Sequence, residues 1–271
     1  MPELPEVETT RRGLAPLVTG RRITDVIVRE PRLRWTIPAT LPGQVRGRCI
    51  DAVARRGKYL LFSLDDGSCL IIHLGMSGSL RLVDTTRAPG RHEPFDIHVD
   101  SGMSLRLRDP RRFGALLWTE DWRRHALLKD LGPEPLDGAL QGDYLYDASR
   151  NRTIAVRDFL MNSHMIVGIG NIYANEALFV AGIDPRRAAG RIGRSRYGRL
   201  SYAVISVLES AIAHGGTTLR DFAGSDGRPG YFQQTLRVYG REGDRCPDCG
   251  APIVRQTLSG RSCFFCRHCQ H

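Results

Sequence analysis

The chain has 271 residues, a 41% hydrophobic share and a formal net charge of +10, with a sequence pI of about 9.7. That length accommodates one large domain or two ordinary ones, and the apolar share suffices for packed cores. No run of 18 apolar residues occurs, so no membrane-spanning helix is expected, and the charge points to a polyanionic partner, nucleic acid first and an acidic membrane surface second.

Lys58 and Lys129 are the lysines, so arginine carries nearly all of the positive charge. Its planar fork suits bidentate contacts with phosphates and bases better than a point charge would. The amino terminus is acidic and lacks the apolar core of a secretory signal. The chain is therefore expected in the cytosol, where its seven cysteines should not form a disulfide framework.

The chain opens with MPELPEVE. If Met1 is removed, Pro2 becomes the terminus and carries a secondary amine. A free α-amino group titrates at roughly 7.7–8.0, so a useful fraction is unprotonated and nucleophilic at neutral pH. Such an amine can attack an electrophilic carbon and form a Schiff base. Glu3 and Glu6 follow, and Pro5 suits a first helical turn. A carboxyl beside an amine nucleophile can act as general acid or base. The alternative reading is an acidic, proline-led helix start that complements the helix dipole. From these residues alone both readings stand.

A helix is expected over 4–17. Strands are expected over 21–30, where Ile23, Val26 and Val28 are spaced among polar residues, and over 43–54 after a turn. Residues 58–64 and 68–74 flank Asp65-Asp66-Gly67 and read as a hairpin. Residues 78–83 continue as strand, 92–100 and 103–108 form a second hairpin, and 114–119 is a last strand. Short strands with tight turns indicate a β-sandwich. From residue 121 the pattern turns helical: 122–128, 143–148, 154–163, 171–180 after a glycine-bounded turn, and 196–213. The last carries Leu200, Ala203, Val204, Val207, Leu208, Ala211 and Ile212 on one stripe. A short helix is expected from Thr217 toward Phe222. Residues 224–243, rich in glycine and arginine, read as a mobile loop.

Cys246-Pro247-Asp248-Cys249 and Cys266-Arg267-His268-Cys269 are separated by sixteen residues, a zinc-ribbon spacing. Cys246, Cys249, Cys266 and Cys269 are the expected ligands of one structural Zn2+. Four thiolates leave the metal no open position for chemistry, and so small a module depends on its ion to fold. Cys263 is expected to be packed in the hairpin and His268 exposed, with Cys49 and Cys69 as ordinary core thiols. The fold class is α+β with two domains: an N-terminal β-sandwich with flanking helices over 1–120, a linker over 121–150, a helical domain over 151–243, and a zinc hairpin over 244–271.

Several separated motifs agree in order: MPELPEVETTRRGL, GKYLL, HLGMSGSLR, DPRRFGA, LGPEPL, GIGNIYANEALF, GGTTLRDF, DGRPGYFQQ and the closing CxxC…CxxCQ. Together they resemble the formamidopyrimidine-DNA glycosylase (MutM) family over nearly the full length. Leu4 resembles this branch rather than the related endonuclease VIII branch, which usually has glycine there. The resemblance implies a monomeric, bacterial glycosylase and abasic-site lyase acting on double-stranded DNA that contains oxidised purines or abasic sites. It implies that the Pro2 amine attacks C1′, that Glu3 protonates the sugar, and that Glu6 anchors this end. The 151–243 domain would be a helix-two-turn-helix.

The same resemblance places Lys58 on a phosphate beside the lesion and counts Glu3, Lys58 and Arg261 as proton donors. Met76, Arg111 and Phe113 would fill the void left by an everted base, with His92, Asn171 and Arg261 as further DNA contacts. Thr217, Thr218 and Tyr231 would serve a loop over that base. For Met76 and Phe113 the alternative is core packing, and for Arg55 and Arg56 a solvated charge run. Arg157 and Arg220 stand where lysine is common in the family, which leaves any role of Arg157 in base preference open. A non-catalytic, zinc-dependent damaged-DNA-binding protein would share the basic charge and the zinc hairpin, but has no need of Pro2 followed by Glu3. An oxidised-pyrimidine glycosylase is the nearer rival.

Overall fold

The computed structural model describes residues 2–216 and 235–271. Thr217, Thr218, Tyr231 and the short helix expected after Gly216 lie outside the described residues. The described chain forms two compact units, 2–130 with 214–216, and 131–213 with 235–271.

In the first unit, helix α1 (Leu4–Val18) starts at an N-cap on Glu3, with Pro5 in its first turn. Proline is tolerated there because its missing N–H would have had no intrahelical partner. Leu4, Val7, Leu14 and Val18 are fully buried along one face. Two four-stranded antiparallel sheets follow. One has the order β1 (Ile23–Val28), β6 (Phe95–Val99), β7 (Met103–Arg108), β5 (Ser79–Asp84). The other runs β2 (Ile50–Arg56), β3 (Tyr59–Leu64), β4 (Cys69–His73), β8 (Ala115–Thr119). Phe62, Leu70 and Ile72 from one sheet share a core with Phe95, Ile97 and Leu105 from the other. This is the expected β-sandwich. Both anticipated hairpins, β3–β4 and β6–β7, are present.

Two stretches of this unit differ from expectation. Residues 43–54 do not form one strand: a short helix α2 (Leu41–Val45) precedes β2. Val45 and Ile50 are both buried, but they belong to different elements divided by Gly47 at φ +82°. Residues 122–128 form turns rather than a helix. The Asp121 side chain accepts the Arg123 N–H at 2.9 Å, a capped turn that is not continued as helix.

Arg55 also departs from the solvated reading. Its side chain is 10% exposed and pairs with Glu8 at 3.2 Å, which ties α1 to β2. Arg11 and Arg12 bind the same carboxylate. Burial pushes the Glu8 carboxyl up, but the bonds from Arg11 and Arg12 outweigh it and bring it to about 2.

The second unit holds α3 (Gly142–Ser149), α4 (Val156–Met161), α5 (Asn171–Val180) and α6 (Arg194–Ala213), then a hairpin of β9 (Val254–Leu258) and β10 (Arg261–Phe265). On α6 the expected stripe is buried except Val207, which is half-buried. Tyr197 extends it, fully buried, with its hydroxyl donating to the Ala189 carbonyl at 2.9 Å. The described end of the stretch expected to be mobile is packed instead. Leu236 and Val238 are buried, and Glu176 accepts the backbone N–H groups of Arg237, Val238 and Tyr239.

A carboxyl whose folded pKa lies below its unfolded value contributes stability above the unfolded value and loses it as pH falls. For Glu8 that window runs from 4.5 down to about 2. Glu8→Gln is therefore expected to cost about 2 kcal/mol at neutral pH and to flatten the acid limb of stability across that window. Urea midpoints measured at stepped pH check both.

Candidate active site and metal centre

The amino-terminal pole is built by α1. The Glu3 N–H donates to a Glu6 carboxylate oxygen at 2.8 Å, while the Glu3 side chain accepts the backbone N–H of Glu6, a reciprocal capping box. Glu3 is 3% and Glu6 2% exposed. Pro2, also buried, directly precedes the cap. The positive end of the helix dipole favours carboxylates here. Gly216 packs on this pole: at φ +82°, a Cβ there would lie 3.1 Å from Glu6 Oε1.

Lys58 sits half-buried in the turn joining β2 and β3. Met76 and Phe113 are 38% and 42% exposed, although the residues on either side of Met76 are buried. Core packing is thereby ruled out for both. The Arg111 guanidinium lies 5.1 Å from the Phe113 ring centre, within cation–π range. His92 is exposed in the left-handed region at φ +70°. Its carbonyl accepts the Asp109 N–H at 2.8 Å, and with Arg29, Glu30, Asp109 and Arg112 it lines a cavity of about 320 Å³.

Asp109 was not singled out in the sequence. It is 1% exposed and accepts the Gly114 N–H at 2.6 Å, closing the loop that carries Arg111 and Phe113. Burial holds its carboxyl above the usual range despite bonds from the backbone of Gly114, Arg111 and Arg112. The DPRRFG motif was its only signal.

In the second unit, the turn 167–170 leads into α5, with Gly170 at the N-cap. The Asn171 side-chain amide donates to the Ser262 carbonyl at 2.8 Å, which brings Asn171 next to the exposed Arg261. Asn175 accepts the Phe264 N–H at 2.8 Å. Arg157 settles the question raised by its departure from lysine. It is fully buried, donates to the Leu258 carbonyl at 2.6 Å and the Arg261 carbonyl at 3.4 Å, and forks onto Asp158. Ser259 donates to the same Asp158 carboxylate at 2.6 Å. Arg157 therefore holds the hairpin turn, and its guanidinium is committed there rather than to a base.

The four expected cysteines meet. Cys246 and Cys269 sulfurs are 3.8 Å apart and those of Cys249 and Cys266 3.5 Å; all four lie within 4.8 Å of one another. A tetrahedral zinc site with Zn–S near 2.3 Å has sulfur–sulfur edges of about 3.8 Å, so the cluster fits one Zn2+. The buried Gln270 braces it, accepting the Cys266 N–H at 2.9 Å and donating to the Ile183 carbonyl at 2.9 Å. Cys263 is fully buried, and burial pushes its thiol up to about 11. His268 is exposed. Chelation or Cys246→Ser is expected to unfold the hairpin and weaken DNA binding at least about tenfold while the sandwich stays folded. Zinc content, circular dichroism and binding isotherms check this.

A family model described as the formamidopyrimidine-DNA glycosylase N-terminal domain matches residues 1–116, and the corresponding H2TH domain matches residues 131–223. The formamidopyrimidine-DNA glycosylase of Ectopseudomonas mendocina (strain ymp) is 56% identical over 270 residues, covering 100% of both chains. Wild-type Lactococcus lactis Fpg (MutM), solved with DNA containing N7-benzyl-Fapy-dG, superposes with a TM-score of 0.91 at 34% identity, covering 99% of each chain. Fpg of the same organism, solved with DNA containing an abasic site, gives a TM-score of 0.91 at 32% identity over 99% of each chain.

Proposed function

The chain belongs to the formamidopyrimidine-DNA glycosylase family, and we propose that its DNA glycosylase and abasic-site lyase activities run through the amine of Pro2. The observation that carries this assignment is the buried reciprocal cap of Glu3 and Glu6 directly after Pro2. The substrate is double-stranded DNA holding an oxidised purine or an abasic site, bound by one copy of the chain. No helix among the described residues is long and apolar enough to cross a membrane.

A base inside the stack is out of reach of the amine, so the nucleotide flips out at a cost of roughly a few kcal/mol. Met76 and Phe113 then occupy the vacated space as apolar wedges, and Arg111 hydrogen-bonds the orphaned base. Lys58, His92, Asn171 and Arg261 contact the backbone. The Pro2 nitrogen attacks C1′, the glycosidic bond breaks with its electrons leaving on the base, and Glu3 supplies a proton to the opening sugar. The resulting iminium acidifies the C2′ hydrogen. Loss of that proton expels the 3′ phosphate, and a second elimination expels the 5′ phosphate. Zinc, when bound by the four cysteines, supplies a structural crosslink. A non-catalytic damage reader would bind the same DNA but would form no covalent intermediate.

Borohydride should trap the iminium on 8-oxoguanine duplex DNA, and peptide mapping should locate the adduct on Pro2. A form retaining Met1 should bind the duplex within about threefold of the processed protein and yield no adduct, since an amide nitrogen is not nucleophilic. A processed, folded preparation that cuts without a Pro2 adduct would overturn the assignment. Affinity should also fall steeply with salt, and Arg261→Ala should lower the slope of log K against log salt by about 1 if Arg261 neutralises a phosphate.

A further inference from the structure

Between β1 and α2 the sequence Pro31-Arg32-Leu33-Arg34-Trp35-Thr36-Ile37 closes on itself. The Leu33 and Ile37 N–H groups both donate to the Pro31 carbonyl, at 3.0 and 2.9 Å, and Arg32 bridges to Thr36. Leu33 and Ile37 are buried in the sandwich core. The loop is therefore fixed at its base, and it presents an exposed Arg34 beside a half-buried Trp35. Arg32, two residues earlier, is already paired with Glu30 at 2.9 Å, and its bonds hold that carboxyl at about 2.

Printed contacts place the loop tip among residues already assigned to DNA. The Arg34 N–H donates to the carbonyl of Gly114 at 3.2 Å, and Gly114 directly follows Phe113. A Cβ on Gly114 would meet the His73 carbonyl oxygen at 2.9 Å, so this turn lies on the end of β4. His73 pairs in register with Tyr59, the first residue of β3, and Lys58 precedes Tyr59. Arg34, Phe113 and Lys58 thus share one end of the β2–β3–β4–β8 sheet. The Arg34 charge is felt there: burial pushes the Tyr59 hydroxyl above its usual range, and Arg34 partly offsets the rise. The guanidinium lies 4.6 Å from the Trp35 ring centre, within cation–π range. A guanidinium stacked by its face keeps its edge N–H groups for a bidentate contact, and pre-placement lowers the entropy lost when it binds.

We propose that Arg34 is a further DNA-binding residue, which grips a backbone phosphate from the 31–37 loop at the edge of the surface that Lys58 and Phe113 present. This rests on the reading of those two residues as DNA-facing. The contact carries no base information and is felt on any sequence.

The test is equilibrium binding of the full-length protein to a duplex holding a tetrahydrofuran abasic analogue, which is not cleaved. Arg34→Ala should weaken binding about tenfold, the scale of one charge-assisted hydrogen bond, and should lower the slope of log K against log salt by about 1. It leaves the backbone N–H to Gly114 in place, so the loop keeps its seat. Arg34→Lys should keep the slope and restore only part of the affinity, because the charge remains and the fork is lost. Arg48 pairs with Asp66 at 3.1 Å, at the opposite end of the same sheet, so Arg48→Ala should leave the slope unchanged. A single neutral methylphosphonate is then moved along each strand. At one position it should cost the wild type about tenfold and cost Arg34→Ala nothing, because the two changes remove one contact. If every methylphosphonate penalty persists in Arg34→Ala, the role of Arg34 is overturned and the DNA-facing reading stands. An equal fall in slope for Arg48→Ala overturns it too, since the effect is then one of net charge. If no methylphosphonate weakens the wild type and Lys58→Ala and Phe113→Ala also bind unchanged, the reading beneath the proposal fails with it.

Discussion

A 2.8 Å hydrogen bond from the Glu3 N–H to the Glu6 carboxylate fixes the start of the chain on which the proposed chemistry depends. Chain termini are ordinarily the loosest part of a domain, whereas a nucleophile has to be held to a fraction of an ångström. A terminal amine can satisfy both conditions only if the residues beside it are immobilised. Here the reciprocal cap does so, with both carboxylates almost wholly out of solvent. Burying two carboxyls is costly in itself. Backbone N–H groups and the helix dipole offset that cost, and they do so only at the start of a helix. The acidic helix start and the proposed catalytic pole, which looked like competing readings of MPELPEVE, are compatible in one arrangement.

The same solution recurs where function lies on turns. Turns lack ladder hydrogen bonds, so their geometry has to be fixed by side chains. The exposed Phe113 has the buried Asp109 closing its loop, and the exposed Met76 has His73 beneath it. The exposed Arg261 has Arg157 and Asp158 holding the hairpin turn. Glu176 performs this service for the backbone of 237–239. In each case a buried polar side chain fixes the backbone of a turn by hydrogen bonds.

That pairing explains what was legible in the sequence. The zinc cysteines, both expected sandwich hairpins and the α6 stripe depend on spacings of two to about twenty residues, which a single sequence displays directly. The anchors depend on partners far away: Arg157 reaches Leu258 across 101 positions and Arg55 reaches Glu8 across 47. Nothing local distinguishes such a residue from a solvated one, which is why Arg55 read as part of a charge run and the role of Arg157 stayed open. The errors in 43–54 and 122–128 have a different origin. In 43–54 a single glycine divided two elements that apolar spacing could not separate, and in 122–128 a capped turn was not continued as helix.

The arginine excess also takes on a different meaning. In the sequence it suggested bidentate contacts with phosphates and bases. In the structure Arg29 and Arg106 grip Asp96, Arg55 joins Arg11 and Arg12 on Glu8, Arg186 holds Asp184, and Arg194 reaches Asp143 and Asp147. The fork that favours arginine over lysine on phosphate favours it equally on a buried carboxylate. Much of the positive charge is thus already neutralised at short range and contributes little to attraction beyond a Debye length. Arg111, on a turn, and Arg261, the first residue of β10, both stand exposed. Net charge brings a polyanion near, but arginines already paired inside the fold are not available to hold it in register.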